Sequence, residues 1–298
     1  MPYQDLSEYR RSARTASLCG HSIAYWVSPK ENAKTLLFIH GFPSAAWDWY
    51  HQWQFFAPDY QLVALDLLGF GLSDKPYPHN YSVLEQADIV AELVKHLDLK
   101  QVNIVAHDYG DTVAQELLAR EQQQSLGFDI ESLLWLNGGL FAESHRPLPT
   151  QTLLNGWLGP IVSRLMSKSS LANGFSRIFG PQSQPKQDEI DTLWTLLCCN
   201  KGKRVIPRIL DYMKERQRYR QRWVDAMQDA MQKASSKSAD RYCFINGVHD
   251  PISGKHMLAQ FQQMFPDTPT VPLEVGHYPQ LEAPQQVNQA IQAIIQSK

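Results

Sequence analysis

The sequence predicts an α/β fold with a mostly parallel sheet, because short apolar runs alternate with helix-like segments through the first half of the chain. Continuous apolar runs such as that at 35–40 are typical of strands buried in a parallel sheet. The segment 82–97 carries apolar residues at helical spacing. The chain has 298 residues, of which 43% are hydrophobic and 19% charged, so it is long enough for one large domain of ordinary globular composition.

The same patterns predict the individual elements. The expected strands are 14–18, 21–28, 35–40, 61–66, 101–106, 132–137, 241–246 and 270–275. The first two are expected to form a hairpin across Cys19 and Gly20. The expected helices are 45–56, 82–97, 110–122 and 286–295.

The strand–helix alternation is interrupted once. Residues 140–237 contain no convincing strand, and helix-like segments there are separated by Pro and Gly. The sequence therefore predicts a core of residues 1–139 and 238–298 with a helical insertion at 140–237. A serine-rich tract at 234–239 is expected to be a loop or hinge.

Charge and composition exclude several classes of function. The net charge of −2 gives no overall field that favours nucleic acid or an anionic membrane. The basic run 214–223 is interpreted as the solvated arginine face of an amphipathic helix. No segment approaches the roughly 20 consecutive apolar residues of a membrane span.

The cysteine and histidine pattern predicts neither a metal nor a cofactor. The four cysteines form no C-x-x-C pair, and no histidine cluster completes a zinc site. The adjacent Cys198 and Cys199 are expected to be small apolar residues of a helix. Without a recognisable leader segment, this pattern favours a reducing compartment, the cytoplasm.

The strongest chemical signal is a sharp turn between a predicted strand and a predicted helix, Ala106-His107-Asp108-Tyr109-Gly110. Such a turn exposes its central side chain above the sheet, and it needs small residues two places before and after. Here the central residue is Asp108. A carboxylate that attacks a saturated carbon forms a stable ester, which water can hydrolyse later. The alternative is that Asp108 caps the following helix, a role that Asp111 could fill equally well.

Two loops complete the predicted site. His40-Gly41-Phe42-Pro43 follows an early strand, so the backbone N–H groups of Phe42 and Tyr109 are the expected oxyanion hole. Asp250 and His277 each follow a late strand, at the sheet edge where α/β proteins place their sites. The chain order of nucleophile, acid and base is then Asp108, Asp250 and His277.

With these motifs in view, the sequence resembles the epoxide hydrolase and haloalkane dehalogenase branch of the α/β-hydrolases. The matching segments are HGFP, DLLGFGLSDKP, HDYG, HDP and GHYPQLEAP, beginning at His40, Asp66, His107, His249 and Gly276. Three segments resemble the mesoderm-specific transcript proteins in particular: HDYGDTVAQELL, NGG through ESHRP, and RQRW.

The resemblance implies that the helical insertion is a cap over the Asp108 pocket. It also implies a two-step hydrolysis: Asp108 attacks, and His277, oriented by Asp250, then activates water. The base must be neutral, so activity is expected to fall below a His277 pKa near ~6.5.

The motifs of the two substrate classes do not match cleanly. Epoxide hydrolases of this branch use two cap tyrosines, but the segment 140–211 has none, and Tyr212 lies one place from the expected position. The halide in dehalogenases is held by a Trp after the nucleophile and by an Asn or a second Trp elsewhere. This chain has Tyr109 at the first position and Phe42 in the loop where the Asn is often found. The candidate substrate-binding residues are His40, Tyr212, His145 and Arg146, although His145 and Arg146 could equally be solvated.

The leading hypothesis is therefore an epoxide hydrolase-like enzyme acting on a small apolar organic substrate and water, with no nucleic acid partner. The alternatives are haloalkane dehalogenase-like hydrolysis and a non-catalytic binding protein on the same fold. The sequence leaves the oligomeric state open, including a homodimer.

Overall fold

One eight-stranded sheet organises the protein in the computed structural model, which describes residues 5–234 and 241–296. The strands are β1 (Arg14–Leu18), β2 (His21–Ser28), β3 (Thr35–Ile39), β4 (Gln61–Leu65), β5 (Gln101–His107), β6 (Asp129–Leu136), β7 (Tyr242–Gly247) and β8 (Thr270–Leu273). Their order across the sheet is β1-β2-β4-β3-β5-β6-β7-β8. The pairs β1–β2 and β2–β4 are antiparallel, and the other pairs are parallel. The predicted fold class is confirmed.

The apolar runs lie where a parallel sheet is buried on both faces. Every residue of β3 is buried, and Leu37 pairs with Val63 on one side and Ile104 on the other. The β1–β2 hairpin turns at Cys19 and Gly20, both in the left-handed region with φ of +48° and +81°. The predicted hairpin is therefore confirmed.

Helices cover the sheet. Those outside the long insertion are α1 (Leu6–Ser12), α2 (Tyr50–Phe56), α3 (Val83–His96), α4 (Tyr109–Gln122), α12 (Lys255–Met264), α13 (Pro279–Glu282) and α14 (Pro284–Gln296). The single helix predicted over 45–56 is in fact a 3-10 turn, Ala46–Trp49, followed by α2.

The described part of the predicted insertion contains helices. Its helices are α5 (Pro149–Asn155), α6 (Gly159–Leu165), α7 (Lys168–Ile178), α8 (Gln187–Cys198), α9 (Ile206–Ile209), α10 (Tyr212–Arg218) and α11 (Arg220–Ala234), with a 3-10 segment at Cys199–Arg204. Residues 140–234 contain no strand. The boundary predicted at residue 237, and all but the first residue of the serine-rich tract, lie outside the described residues.

The last helix of the insertion is attached to the core. Helix α11 packs against α4, where the buried Glu116 accepts hydrogen bonds from Arg222 and from the Trp223 indole N–H at 2.9 Å. Within the described residues, no helix is both long and apolar enough to cross a membrane.

The topology brings five loops together. The carboxyl ends of the parallel strands β3, β5, β6, β7 and β8 lie at one edge of the sheet. The loops that follow them carry the predicted catalytic groups, so residues far apart in sequence become neighbours at this edge.

Candidate active site

Asp108 occupies a strained turn between β5 and α4. Its φ of +46° and ψ of −103° are unusual for a residue other than glycine, and such strain is common at functional sites. A Cβ at Gly110 would lie 2.4 Å from the Ile39 carbonyl oxygen, so glycine is required there. The buried carboxylate makes no helix-capping hydrogen bond, which argues against the capping alternative.

One carboxylate oxygen of Asp108 is held by the loop after β3. The Phe42 N–H donates to Asp108 Oδ2 at 3.2 Å. Gly41 allows this approach, because a Cβ there would lie 2.9 Å from Asp108 Cβ. Tyr109 follows Asp108 directly and is the first residue of α4, so its N–H has no acceptor within the helix. The structure thus brings the predicted oxyanion-hole loops to Asp108.

Asp250 and His277 form a buried pair, with His277 Nδ1 at 2.7 Å from Asp250 Oδ2. Asp250 accepts four further hydrogen bonds, from Asn137 Nδ2, the Ile252 N–H, and the N–H and Oγ of Ser253, at 2.7–3.0 Å. Burial alone would raise the pKa of Asp250, but His277 and these donors lower it to about 2. Asp250 is therefore ionised and fixed in orientation.

The electrostatic surroundings make His277 unusually basic. Burial alone would lower its pKa, but Asp250 and Asp108 raise it to about 9. The pH below which activity is expected to fall, set at ~6.5 by an ordinary histidine pKa, is therefore higher in the free protein. Because this folded-state pKa exceeds the unfolded value, the pairing stabilises the fold at neutral pH, and that contribution is lost as the pH rises through about 9.

The main chain around His277 is also constrained. His107 Nε2 donates to the His277 carbonyl oxygen at 2.7 Å, and burial lowers the pKa of His107 to about 3, so its ring stays neutral. On the insertion side, the His277 N–H donates to the Ile178 carbonyl at 2.8 Å. Glu282 joins the two segments, because its Oε2 accepts from the N–H groups of both Gly180 and Gly276.

Arg216 is the functional-site residue that the sequence interpretation missed. It belongs to the basic run interpreted as solvated, yet it is only 2% exposed. Its Nη2 lies 3.0 Å from the Asp108 carbonyl oxygen and 3.5 Å from Asp108 Oδ1, and its Nε donates to Thr112. Burial raises the pKa of Asp108, but His277 and Arg216 outweigh it and the net shift is downward. The nucleophile candidate is therefore ionised.

Two of the candidate substrate-binding residues lie beside Arg216. The Tyr212 side chain is fully buried, and its ring is 4.5 Å from the Arg216 guanidinium carbon. His145 Nδ1 lies 3.4 Å from Arg216 Nη1. Burial and Arg216 lower the pKa of His145 to about 3, so the ring is neutral and accepts this hydrogen bond.

The other two candidates lie elsewhere. The Arg146 side chain is exposed, which corresponds to the solvated alternative. Both ring nitrogens of the buried His40 contact the backbone, with Nε2 accepting from the Leu67 N–H at 3.0 Å and Nδ1 at 2.8 Å from the Gly41 carbonyl. We therefore assign His40 to support of the HGFP loop and correct its predicted substrate contact.

An apolar cavity of about 380 Å³ ends at Phe42 and His277. Its walls come largely from the insertion and include Leu154, Leu171 and Phe175. No tryptophan lines the cavity in the described part of the chain. Trp47 and Trp49 belong to the buried core, whereas Trp157 is 88% exposed. The cavity fits an apolar molecule and offers no indole N–H to a halide.

One further cluster has metal-ligating groups, away from this cavity. Suitable atoms of His21, His79 and Glu85 lie within 4.8 Å of one another. The two histidine Nε2 atoms lie 3.4 Å and 2.9 Å from the Glu85 carboxylate oxygens, so hydrogen bonds can satisfy the cluster without an ion. The sequence prediction overlooked this grouping because His21 is distant in the chain from His79 and Glu85.

Comparison with known proteins places the chain in a family. Residues 34–126 match the model of the alpha/beta hydrolase fold. The mesoderm-specific transcript homolog protein of Bos taurus is 40% identical over 258 residues, which cover 84% of this chain and 75% of that protein. The chain belongs to the mesoderm-specific transcript family of α/β-hydrolases.

Other comparisons agree with this membership. LipZ of Mycobacterium tuberculosis (strain ATCC 25618 / H37Rv), which is named as a hydrolase, is 36% identical to this chain, with 88% of each chain covered. Among solved structures, haloalkane dehalogenase DbeA from Bradyrhizobium elkani USDA94 superposes with a TM-score of 0.73 at 20% identity, covering 96% of this chain and 99% of that one. This last match supports the fold alone.

The basicity of His277 provides a test of the site's electrostatics. In Asp250→Asn, we expect the His277 imidazole pKa to fall from about 9 toward the ordinary value of about 6.5 or below, because its main stabilising charge is removed. Titration of the imidazole nitrogens by NMR measures this directly. Glu274→Gln, which removes an exposed carboxylate paired with His249, is the matched control and should leave His277 unchanged. An unchanged His277 pKa in Asp250→Asn would contradict the assigned pairing.

Proposed function

We propose that the protein hydrolyses an apolar substrate in two steps, with Asp108 as nucleophile, His277 as base and Asp250 as the residue that orients the base. The position of Asp108 Oδ2 carries this proposal. This oxygen already accepts from the Phe42 N–H, where an oxyanion would be stabilised, so Oδ1 is the oxygen left to attack.

In the first step, Asp108 Oδ1 forms a bond to a saturated carbon and the bond from that carbon to its leaving group breaks. The electron pair leaves with the leaving group. The product is an ester of Asp108 whose carbonyl oxygen is Oδ2, still beside the Phe42 N–H. Attack at this kind of carbon suits a carboxylate, because the resulting ester is stable enough to await water.

In the second step, water attacks the carbonyl carbon of this ester and gives a proton to the neutral His277 Nε2. Phe42 and Tyr109 N–H groups stabilise the oxyanion. The ester C–O bond then breaks, His277 passes its proton to the departing alkoxide to release an alcohol, and the acid formed on Asp108 loses its remaining proton to restore the carboxylate. Because esterification removes the charge of Asp108, it also removes one cause of the raised His277 pKa. The base becomes easier to deprotonate in the intermediate that needs it.

We infer an epoxide as the preferred substrate class, because the site has donors for a leaving oxygen. Opening an epoxide places negative charge on oxygen, which requires a proton. The Tyr212 hydroxyl belongs to a fully buried side chain, and Arg216 supplies a positive charge beside its ring. Tyr212 donates the proton in this scheme, and the tyrosinate regains one when the cycle closes.

Haloalkane hydrolysis is the second candidate, supported by the apolar cavity, which would suit a haloalkane. A halide leaving group needs N–H donors instead of a proton. The described cavity lining lacks the tryptophan that would supply one.

We further propose that residues 140–237 act as the cap, since their helices form most of the cavity wall. A non-catalytic binding role would leave the Asp250–His277 pair without a use.

The nucleophile can be tested against a neighbouring buried acid. Asp108→Ala should abolish turnover of an epoxide panel, because no other group can form the ester, while a thermal melt, lowered by the loss of the buried pair with Arg216, still shows a folded protein. Asp111→Asn is the matched control, since burial raises the Asp111 pKa well above its ordinary value and makes the amide a close substitute for the neutral acid. We expect this control to keep its activity within about tenfold. Full turnover by Asp108→Ala would contradict the mechanism.

The leaving-group donor can be tested separately. Tyr212→Phe should lower kcat for epoxides by about 10²–10⁴-fold, the usual range for lost general acid catalysis, and should leave haloalkane turnover, if present, nearly unchanged. Steady-state kinetics with both substrate classes measure this. Tyr219→Phe, at the end of α10, is the control and should match the unchanged protein. Equal epoxide kinetics for the two variants would remove Tyr212 from the proposed mechanism.

A further inference from the structure

Four large apolar side chains of the insertion are exposed, and two of them line the apolar cavity. Leu153, Trp157, Ile161 and Leu165 are 47%, 88%, 57% and 77% exposed. We call them the apolar rim. Scattered exposed apolar residues are ordinary, whereas a contiguous group beside a cavity indicates an interaction surface.

The members of the apolar rim are contiguous. Leu153 and Leu165 both line the apolar cavity that reaches Phe42 and His277. Leu153 also shares a surface depression with Trp157. Ile161 and Leu165 are four residues apart on α6 and therefore lie on the same face of that helix. The rim thus continues the apolar lining of the cavity onto the surface.

A basic cluster adjoins the apolar rim. Arg164, Lys201, Lys203 and Arg204 line one depression of about 420 Å³. Lys203 Nζ donates to the carbonyl oxygens of Arg164 and Met166, next to Leu165. None of the four forms an ion pair with an acidic side chain in the described residues. Tyr77 lies beside the cluster, with its ring 5.3 Å from the Arg204 guanidinium carbon.

The charge of this region is opposite to that of the whole chain. No acidic residue occurs between Glu143 and Asp188, although the chain has 30 acidic residues and a net charge of −2. The net charge of the whole chain does not reveal this local excess of basic over acidic residues. An exposed aromatic and aliphatic surface with adjacent unpaired cations is complementary to a bilayer surface that contains anionic lipids.

We propose that the apolar rim and the basic cluster dock the protein on an anionic lipid surface. Trp157 and its neighbours enter the boundary between headgroups and acyl chains, and the cluster contacts lipid phosphates. Because the rim continues into the cavity, a lipophilic substrate can pass from the bilayer into the cavity without crossing water. This last step rests on the proposed function, whereas the docking does not.

Vesicle co-sedimentation tests the docking without needing turnover. The full chain is mixed with vesicles of phosphatidylcholine alone or with an equal part of phosphatidylglycerol, at low and high salt. We expect binding to the mixed vesicles, weaker binding to phosphatidylcholine, and loss of the difference at high salt. Trp157→Ser should weaken binding by about tenfold or more, and Arg164→Ala by about fivefold.

Phe55→Ser is the matched control, because Phe55 is an exposed aromatic residue of α2, outside the insertion. It should bind vesicles like the unchanged protein, as should Asp108→Ala, and thermal melts should show that every variant is folded. Failure of the unchanged protein to bind either vesicle, or equal binding by Trp157→Ser, would overturn the docking and leave the Asp108 mechanism standing. A dimer that Trp157→Ser dissociates, without vesicle binding, would assign the rim to self-association and also overturn it.

Discussion

The site depends on a balance of buried charges. Asp108 and Asp250 are two carboxylates removed from water at the sheet edge, and isolated charges in such a place are strongly unfavourable. A protonated His277 and the buried Arg216 provide the compensating positive charges. Breaking a buried pair costs about 3–5 kcal/mol, so the four groups constrain one another's positions. The fold must bring all four to the same place.

The topology meets this requirement with few local exceptions. Parallel strands end at one edge, so Asp108, Asn137, Asp250 and His277 follow β5, β6, β7 and β8 in order across the sheet. The exceptions are the left-handed Asp108 and Asn137, with φ of +46° and +44°. Asn137 donates to Asp250 and accepts from the Gly247 N–H at 2.6 Å. Its conformation therefore helps to hold Asp250 in position.

Sequence patterns predicted the sheet, and they predicted that Asp108, Asp250 and His277 follow strands that end at one edge, because these features depend on local signals. Buried strands are apolar, and a tight turn requires Gly110. The carboxyl ends of parallel strands lie at the same edge of a sheet, so residues that follow these strands are expected to meet there. The resemblance of the motifs to known hydrolases pointed to the same three residues.

The insertion was predicted less well, because its contacts are long-range. Arg216 lies in a run of charged residues that is indistinguishable from a solvated helix face until α10 is packed on the site. The neighbouring arginines have other partners than Arg216 has, since Arg220 pairs with Glu143 and Arg222 pairs with Glu116. For His40 the prediction failed in the other direction. It was predicted to bind substrate because it belongs to the HGFP motif, yet both of its ring nitrogens contact the backbone and support that loop.

The most direct test of the account is to trap the covalent intermediate and locate it. A His277→Gln variant, offered separate epoxide and haloalkane panels, should form the Asp108 ester but fail to release it, because the base is missing. Intact-mass spectrometry should show an adduct equal to the whole epoxide mass, and peptide mapping should place it on Asp108. An adduct equal to the haloalkane less its hydrogen halide would instead establish dehalogenation. An adduct on any other residue, or none with either panel from a folded variant, would contradict nucleophilic catalysis by Asp108.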